Sequence, residues 1–175
     1  MHILHVLGAS PNFMKVAPVM AALRRRSVRQ TLVYTGSHDD VSMADGILRE
    51  LRVATPDENL GVGSGTHAHQ TAQILMGMER SLQQWRPDLV LVYGDSDAAP
   101  AASLAASKSG LPVGHVEAGL RSGDRGMPDE INRVVTDCLA SWHFTPSEDA
   151  DENLLTEGVE PSSIKRVGNV TIDTL

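Results

Sequence analysis

Residues Leu89–Tyr93 read LVLVY, apolar at both sets of alternating positions. A strand that turns neither face to water must be covered on both sides, and such strands belong to parallel sheets with helices on each face. The rest of the chain alternates in keeping with this. Strand-like apolar runs at His2–Leu7, Thr31–Thr35, Val113–Val116, Ser141–Thr145 and Ile164–Val167 are separated by segments of helical period. Predicted helices cover Met14–Arg25, with Val16, Val19, Met20 and Leu23 on one stripe, then Asp40–Leu51, His67–Gln84, Ser96–Ser109 and Asp129–Leu139. Ser147 is placed to cap one more, whose first turn carries Glu148, Asp149 and Asp151 at the positive end of the helix dipole. Residues 53–65 have loop composition. Repeated βα units of this kind specify an α/β fold on a parallel sheet with helices on both faces.

A length of 175 residues suits one domain with a core of its own. The net charge of −7 argues against nucleic acid as the main partner, since phosphate backbones need a basic face. A small anionic ligand is compatible with it, because a few basic side chains and free N–H groups suffice to hold one. Cys138 is the single cysteine, so no internal disulfide forms, and its helical surroundings (VVTDCLA) predict a buried thiol. The opening MHILHVLGA is short and lacks the flanks of a targeting segment, so it reads as a first strand. No run approaches the roughly 18 apolar residues that span a bilayer. A cytoplasmic protein without membrane or nucleic-acid partners is the expectation. Residues 1–167 complete the βα pattern, and 168–175 read as the start of a connection to a domain not contained in this sequence.

Ligands of open α/β sheets sit beyond the carboxyl ends of the strands, and the unusual residues of this chain follow strand after strand. GASPNFMK (Gly8–Lys15), TGSHDD (Thr35–Asp40), GDSDAAP (Gly94–Pro100) and HVEAGLRSGD (His115–Asp124) bring Lys15, His38, Asp95, Glu117 and Arg121 towards one rim. The Gly8–Lys15 turn opens a helix whose free N–H groups suit a phosphate or a sugar hydroxyl, although an ordinary βα turn reads the same way. Asp95 follows a glycine that permits a sharp turn. It either faces the crevice or caps the next helix, a task Ser96 or Asp97 can equally perform. Glu117 ends an apolar strand, where a carboxylate needs a partner, and Arg121 and His115 are at hand. A structural ion pair and a proton-transfer role both remain open for it. Asp129 and Glu130 enter a helix behind Pro128 with Arg133 one turn on, which also describes a plain surface pair. The histidines show no HxxxH or HExxH spacing, so no metal site is expected.

Taken together, GASPNFMKVAPVM, TGSHDDVSMAD, NLGVGSGTHAHQT, PDLVLVYGDSD, LPVGHVEAGLRSGDRGMPDEINR, HFTPSE and VGNVTID closely resemble the non-hydrolysing UDP-N-acetylglucosamine 2-epimerase family, in order and over nearly the whole chain. That family has two Rossmann-like domains in the GT-B arrangement with the nucleotide sugar between them, and this chain resembles the first. The resemblance implies interconversion of UDP-GlcNAc and UDP-ManNAc by elimination and re-addition of UDP through a 2-acetamidoglucal, with no metal or nicotinamide cofactor. It assigns catalysis to Asp95, Glu117 and Asp129, and substrate binding to Ser10, Lys15, His38, Arg121, Glu130 and Arg133. Gln70 matches a position that some bacterial members use for an activating second UDP-GlcNAc. A homodimer and a C-terminal domain are the implied protein partners, and the chain alone is expected to be inactive.

Three departures from the family pattern qualify this. Ser10 stands where relatives have arginine, Ser37 where they have glutamine, and Asp129 where they have glutamate, one methylene longer. Ser10 and Asp129 motivate a second reading, a paralogue that binds a sugar nucleotide without epimerising it. One half of a split GT-B glycosyltransferase is a third.

Overall fold

The computed structural model describes residues 1–8, 12–36, 46 and 48–174. In chain order its elements are β1 (His2–Leu7), α1 (Phe13–Arg24), β2 (Arg29–Tyr34), β3 (Glu58–Asn59), α2 (His67–Trp85), β4 (Leu89–Tyr93), α3 (Ala98–Lys108), β5 (Val113–Val116), α4 (Pro128–Leu139), β6 (Trp142–Thr145), α5 (Glu148–Thr156) and β7 (Ile164–Arg166). The strands form one seven-stranded sheet in the order β3-β2-β1-β4-β5-β6-β7, and every neighbouring pair is parallel.

The period of two sorts the strand residues between two cores. Leu4 and Val6 of β1 join Val90 and Val92 of β4 on one face, against Ile74, Met78 and Leu82 of α2 and the alanines of α3. Ile3 and Leu7 join Leu91 and Tyr93 on the other, against Phe13, Val16 and Met20 of α1. Handedness explains the division. From β1 the chain steps to β2 at one side, whereas the connections into β4 and β5 step the other way, so right-handed crossovers place α1 opposite α2 and α3. Alanines at 98, 99, 101, 102, 105 and 106 let α3 pack closely on the sheet and on α2.

The helix ends follow local chemistry. Thr66 accepts from the N–H of His69 (3.3 Å) at the start of α2, and Arg86, left-handed at φ 47°, ends it before Pro87. Ser147 caps α5 by accepting from Ala150 N–H (3.4 Å), as its sequence position implies. The sequence reading missed β3, because a two-residue edge strand gives no periodic signal; it pairs with Val33 and Tyr34. Most of the helix expected at Asp40–Leu51 lies outside the described residues, of which 48–50 are helical. Cys138 is exposed, which corrects the expectation of a buried thiol. The buried side of α4 is polar, built from Glu130, Asn132, Thr136 and Asp137, and this turns the cysteine outward. The last residues fold back on α1, where the Thr174 hydroxyl donates to Met14 O (2.6 Å). Among the described residues no helix is long and apolar enough to cross a membrane.

Candidate active site

Two turns at the carboxyl ends of β4 and β5 carry the central residues. The first is Gly94–Asp97. Gly94 has φ 64°, and a Cβ there would lie 2.7 Å from Lys15 Nζ, 3.0 Å from Asn12 Oδ1 and 3.3 Å from Glu117 Oε2. Only glycine fits both the conformation and the space. The second turn starts at Glu117, itself left-handed at φ 73°. That is an uncommon conformation for a residue with a side chain, and it persists only where surrounding contacts impose it.

Each acid has its own cation. The Lys15 ammonium, in the first turn of α1, donates to the Glu117 carboxylate, and both side chains are largely buried. Arg133 of α4 donates to the Asp95 carboxylate and sits 3.5 Å from Glu130. This corrects the partners expected for Glu117. Arg121 instead forks onto Glu157 (2.7 Å to each oxygen) and reaches Asp137 (2.8 Å), while His115 is buried between Asp137 (2.6 Å) and Gly94 O (2.9 Å). All of these contacts are internal, so the geometry gives Arg121 a scaffold part in place of the expected reach towards a ligand. Asp95 is not a helix cap: Asp97 occupies that position, and its side chain makes no capping bond. Asp97 binds His67 Nδ1 (2.8 Å) and accepts from Asn132 Nδ2 (3.0 Å), whose other contact is Asp95 O (2.9 Å). Its carboxylate raises the His67 pKa above the ordinary histidine value.

Glu130 is not a surface residue, being only 3% exposed. Its carboxylate accepts from the N–H groups of Ser122 (2.9 Å) and Gly123 (3.0 Å), fixing the loop between β5 and α4. Burial alone would raise its pKa, but those N–H groups, the Ser122 hydroxyl and Arg121 outweigh it and hold the carboxyl below the ordinary range. Asp129 beside it is exposed at the start of α4, near enough to His67 for their charges to interact. Gln70, one turn into α2, donates to Gly63 O (3.1 Å). Ser10 and His38 lie outside the described residues.

The structure thus brings Lys15, Asp95, Glu117, Glu130 and Arg133 together beyond the carboxyl ends of β4 and β5 and commits Arg121 to the scaffold. Asn12 and Asn132 escaped the sequence reading. Asn12 is buried directly beside Gly94, and Asn132 ties α4 to the Asp95 turn. The only signal for Asn132 was its place in the EINR segment.

The sequence matches the family model for UDP-N-acetylglucosamine 2-epimerase over residues 21–175. The chain belongs to the UDP-N-acetylglucosamine 2-epimerase family. It is 47% identical over 175 residues to a UDP-N-acetylglucosamine 2-epimerase homolog of Methanococcus maripaludis, covering 100% of this chain and 48% of that one. It is 39% identical over 177 residues to the UDP-2,3-diacetamido-2,3-dideoxy-D-glucuronate 2-epimerase of Pseudomonas aeruginosa, covering 99% and 50%. Among solved structures, the UDP-GlcNAc 2-epimerase of Methanocaldococcus jannaschii in complex with UDP-GlcNAc and UDP superposes with a TM-score of 0.96 at 42% identity, over 99% of this chain and 48% of that one. The chain spans about half the length of the curated relatives it matches. The part that it shares with the epimerases is a Rossmann-like sheet of the kind found in the N-terminal half of a GT-B fold.

Proposed function

We propose that this chain is the N-terminal domain of a UDP-N-acetylglucosamine 2-epimerase that interconverts UDP-GlcNAc and UDP-ManNAc. Residues 1–167 form that domain, and 168–175 begin the connection to a second one. The observation that carries the reading is the pairing of Glu117 with Lys15 and of Asp95 with Arg133 on adjacent turns, in a chain of this family.

The C2 hydrogen of the sugar is not acidic, so inversion proceeds by elimination. One carboxylate takes the C2 proton while the C1–O bond breaks and UDP leaves with the bonding electrons, giving a C1=C2 double bond. The other carboxylic acid then returns a proton to C2 from the opposite face as the UDP oxygen re-forms its bond to C1. Asp95 and Glu117 are the proposed pair, each contributing on the order of 10²–10⁴ in rate. Asp129 is a third carboxylate at the rim. Lys15 and Arg133 orient the two acids and lend positive charge to the departing diphosphate. Glu130 shapes the loop in front of them. Ser10, His38 and Gln70 remain proposed contacts for substrate and for an activating second nucleotide sugar. The reading has the protein act in the cytoplasm, with its second domain and as a homodimer.

The test is incubation of the full-length protein with UDP-GlcNAc in heavy water. Deuterium at C2 in both epimers supports the proposal. Binding without exchange supports a paralogue that has lost the chemistry, and turnover by the 175-residue chain alone would overturn the need for a second domain. The Pseudomonas relative raises a different sugar with the same reaction at C2, so UDP-2,3-diacetamido-2,3-dideoxy-D-glucuronate belongs in a parallel assay. Exchange with that substrate alone would move the assignment to it.

A further inference from the structure

Asp137 lies in the middle of α4 with its side chain 1% exposed; it touches the turn that begins at Glu117 directly and the Gly94 turn through His115. One carboxylate oxygen faces His115 Nδ1 (2.6 Å), while the other accepts from Gly119 N–H (3.0 Å) and from Arg121 (2.8 Å). His115, fully buried on β5, reaches across with Nε2 to Gly94 O (2.9 Å). Gly94 leads directly into Asp95, and Gly119 closes the turn that begins at Glu117. Gly119 is itself left-handed (φ 81°), and a Cβ there would lie 2.3 Å from Ala150 O, so that turn has no room to adjust.

The hydrogen bonds fix where the protons are. A carbonyl oxygen only accepts, so His115 Nε2 carries a proton. Asp137 accepts from a backbone N–H and a guanidinium, and His115 and Arg121 together hold its carboxyl below the ordinary range against the pull of burial.

We infer that Asp137 and His115 are positioning residues that set the spacing of Asp95 and Glu117: the carboxylate holds the Gly119 amide directly and the Gly94 carbonyl through His115. This rests on the epimerase reading and adds to it. Neither residue touches substrate, and both act through backbone groups next to the acids. Buried polar networks specify one arrangement when every member is satisfied, and each contact here is made. A shift near 1 Å in a catalytic group costs about a hundredfold in rate. Misplacing one acid relative to the other should slow proton return more than it weakens binding.

The experiment uses the full-length protein and Asp137→Asn, which puts an NH₂ group where two donors converge. Expected are a kcat lower by about a hundredfold with KM within twofold of wild type, and more free 2-acetamidoglucal and UDP released per epimerisation. Glu157→Gln, which changes the same network at its exposed end, is expected to keep kcat within twofold. If Asp137→Asn does not fold, His115→Gln is expected to show the same split between kcat and KM. Wild-type C2 exchange with unchanged kcat in folded Asp137→Asn, or equal losses in Asp137→Asn and Glu157→Gln, overturns the inference. No C2 exchange in wild type defeats the underlying epimerase reading instead.

Discussion

Acidification should destabilise this domain through one buried histidine beneath the site. His5 lies at the centre of β1, fully buried, between Gln30 and Tyr93. Gln30 donates its amide N–H to Met20 O (3.2 Å), so its oxygen accepts from His5 Nε2 (3.1 Å). Nδ1 then accepts from the Tyr93 hydroxyl (2.7 Å), and the ring is neutral. Burial lowers its pKa from 6.5 to about 4, only partly opposed by Gln30. The unfolded chain takes up the proton near pH 6.5 and the folded chain near 4, so between those values the unfolded state binds more protons. Stability is therefore full above pH 6.5 and falls by up to about 1.4 kcal/mol per pH unit as pH drops towards 4. Between pH 7 and pH 4.5 that amounts to about 2 kcal/mol for the single group. The assay is urea unfolding at both pH values for wild type and His5→Gln, which cannot titrate. His2, whose pKa is also lowered, chiefly by burial, is common to both proteins and cancels in the difference. The advantage of wild type over His5→Gln should shrink by about 2 kcal/mol on acidification. An unchanged gap between the two proteins would refute the reasoning. Because Tyr93 directly precedes Gly94, loss of this chain should also loosen the Asp95 turn.

Three further perturbations test the site. Gly94→Ala forces a left-handed alanine against the Lys15 ammonium, and should cost about 1–2 kcal/mol in urea unfolding while lowering kcat by disturbing the Lys15–Glu117 pair. Glu130→Gln removes a charged acceptor from the Ser122 and Gly123 N–H groups and should cost about 1–3 kcal/mol; the stabilisation from this carboxylate, whose pKa is lowered on folding, should fade as pH falls through the acidic range. Lys15→Met leaves Glu117 without a cation among the described residues, and should lower kcat of the full-length protein by about a hundredfold with a stability loss of about 3–5 kcal/mol. Unchanged kinetics in Lys15→Met would remove that residue from the mechanism.

Much of the architecture is written in periods that the sequence displays. LVLVY could only be a strand covered on both sides, and Val90 and Val92 face one core while Leu91 and Tyr93 face the other. The placement of the acids at strand ends was legible for the same reason, since topology brings those ends together. Their partners were not. Lys15 and Glu117 are separated by 102 positions, and nothing local distinguishes Lys15 from Arg121 as the cation. The decision is made by backbone conformation: left-handed residues at Glu117 and Gly119 turn the chain so that Arg121 meets Asp137 and Glu157. The acidic start of α4 misled in a similar way. Asp129 and Glu130 look alike as surface residues of a first turn, yet one is exposed and the other buried under a loop whose N–H groups need an acceptor. Cys138 shows the converse, an apolar residue turned outward because polar contacts claim the inner face of its helix.

The most direct test of the central claim is a crystal structure of the full-length protein with UDP-GlcNAc bound. The account expects a carboxylate oxygen of Asp95 and one of Glu117 on opposite faces of the hexose, each about 3–3.5 Å from the C1–C2 region. A sugar ring seated away from these two residues, or both acids on one face with the other face lined by neither, would contradict it.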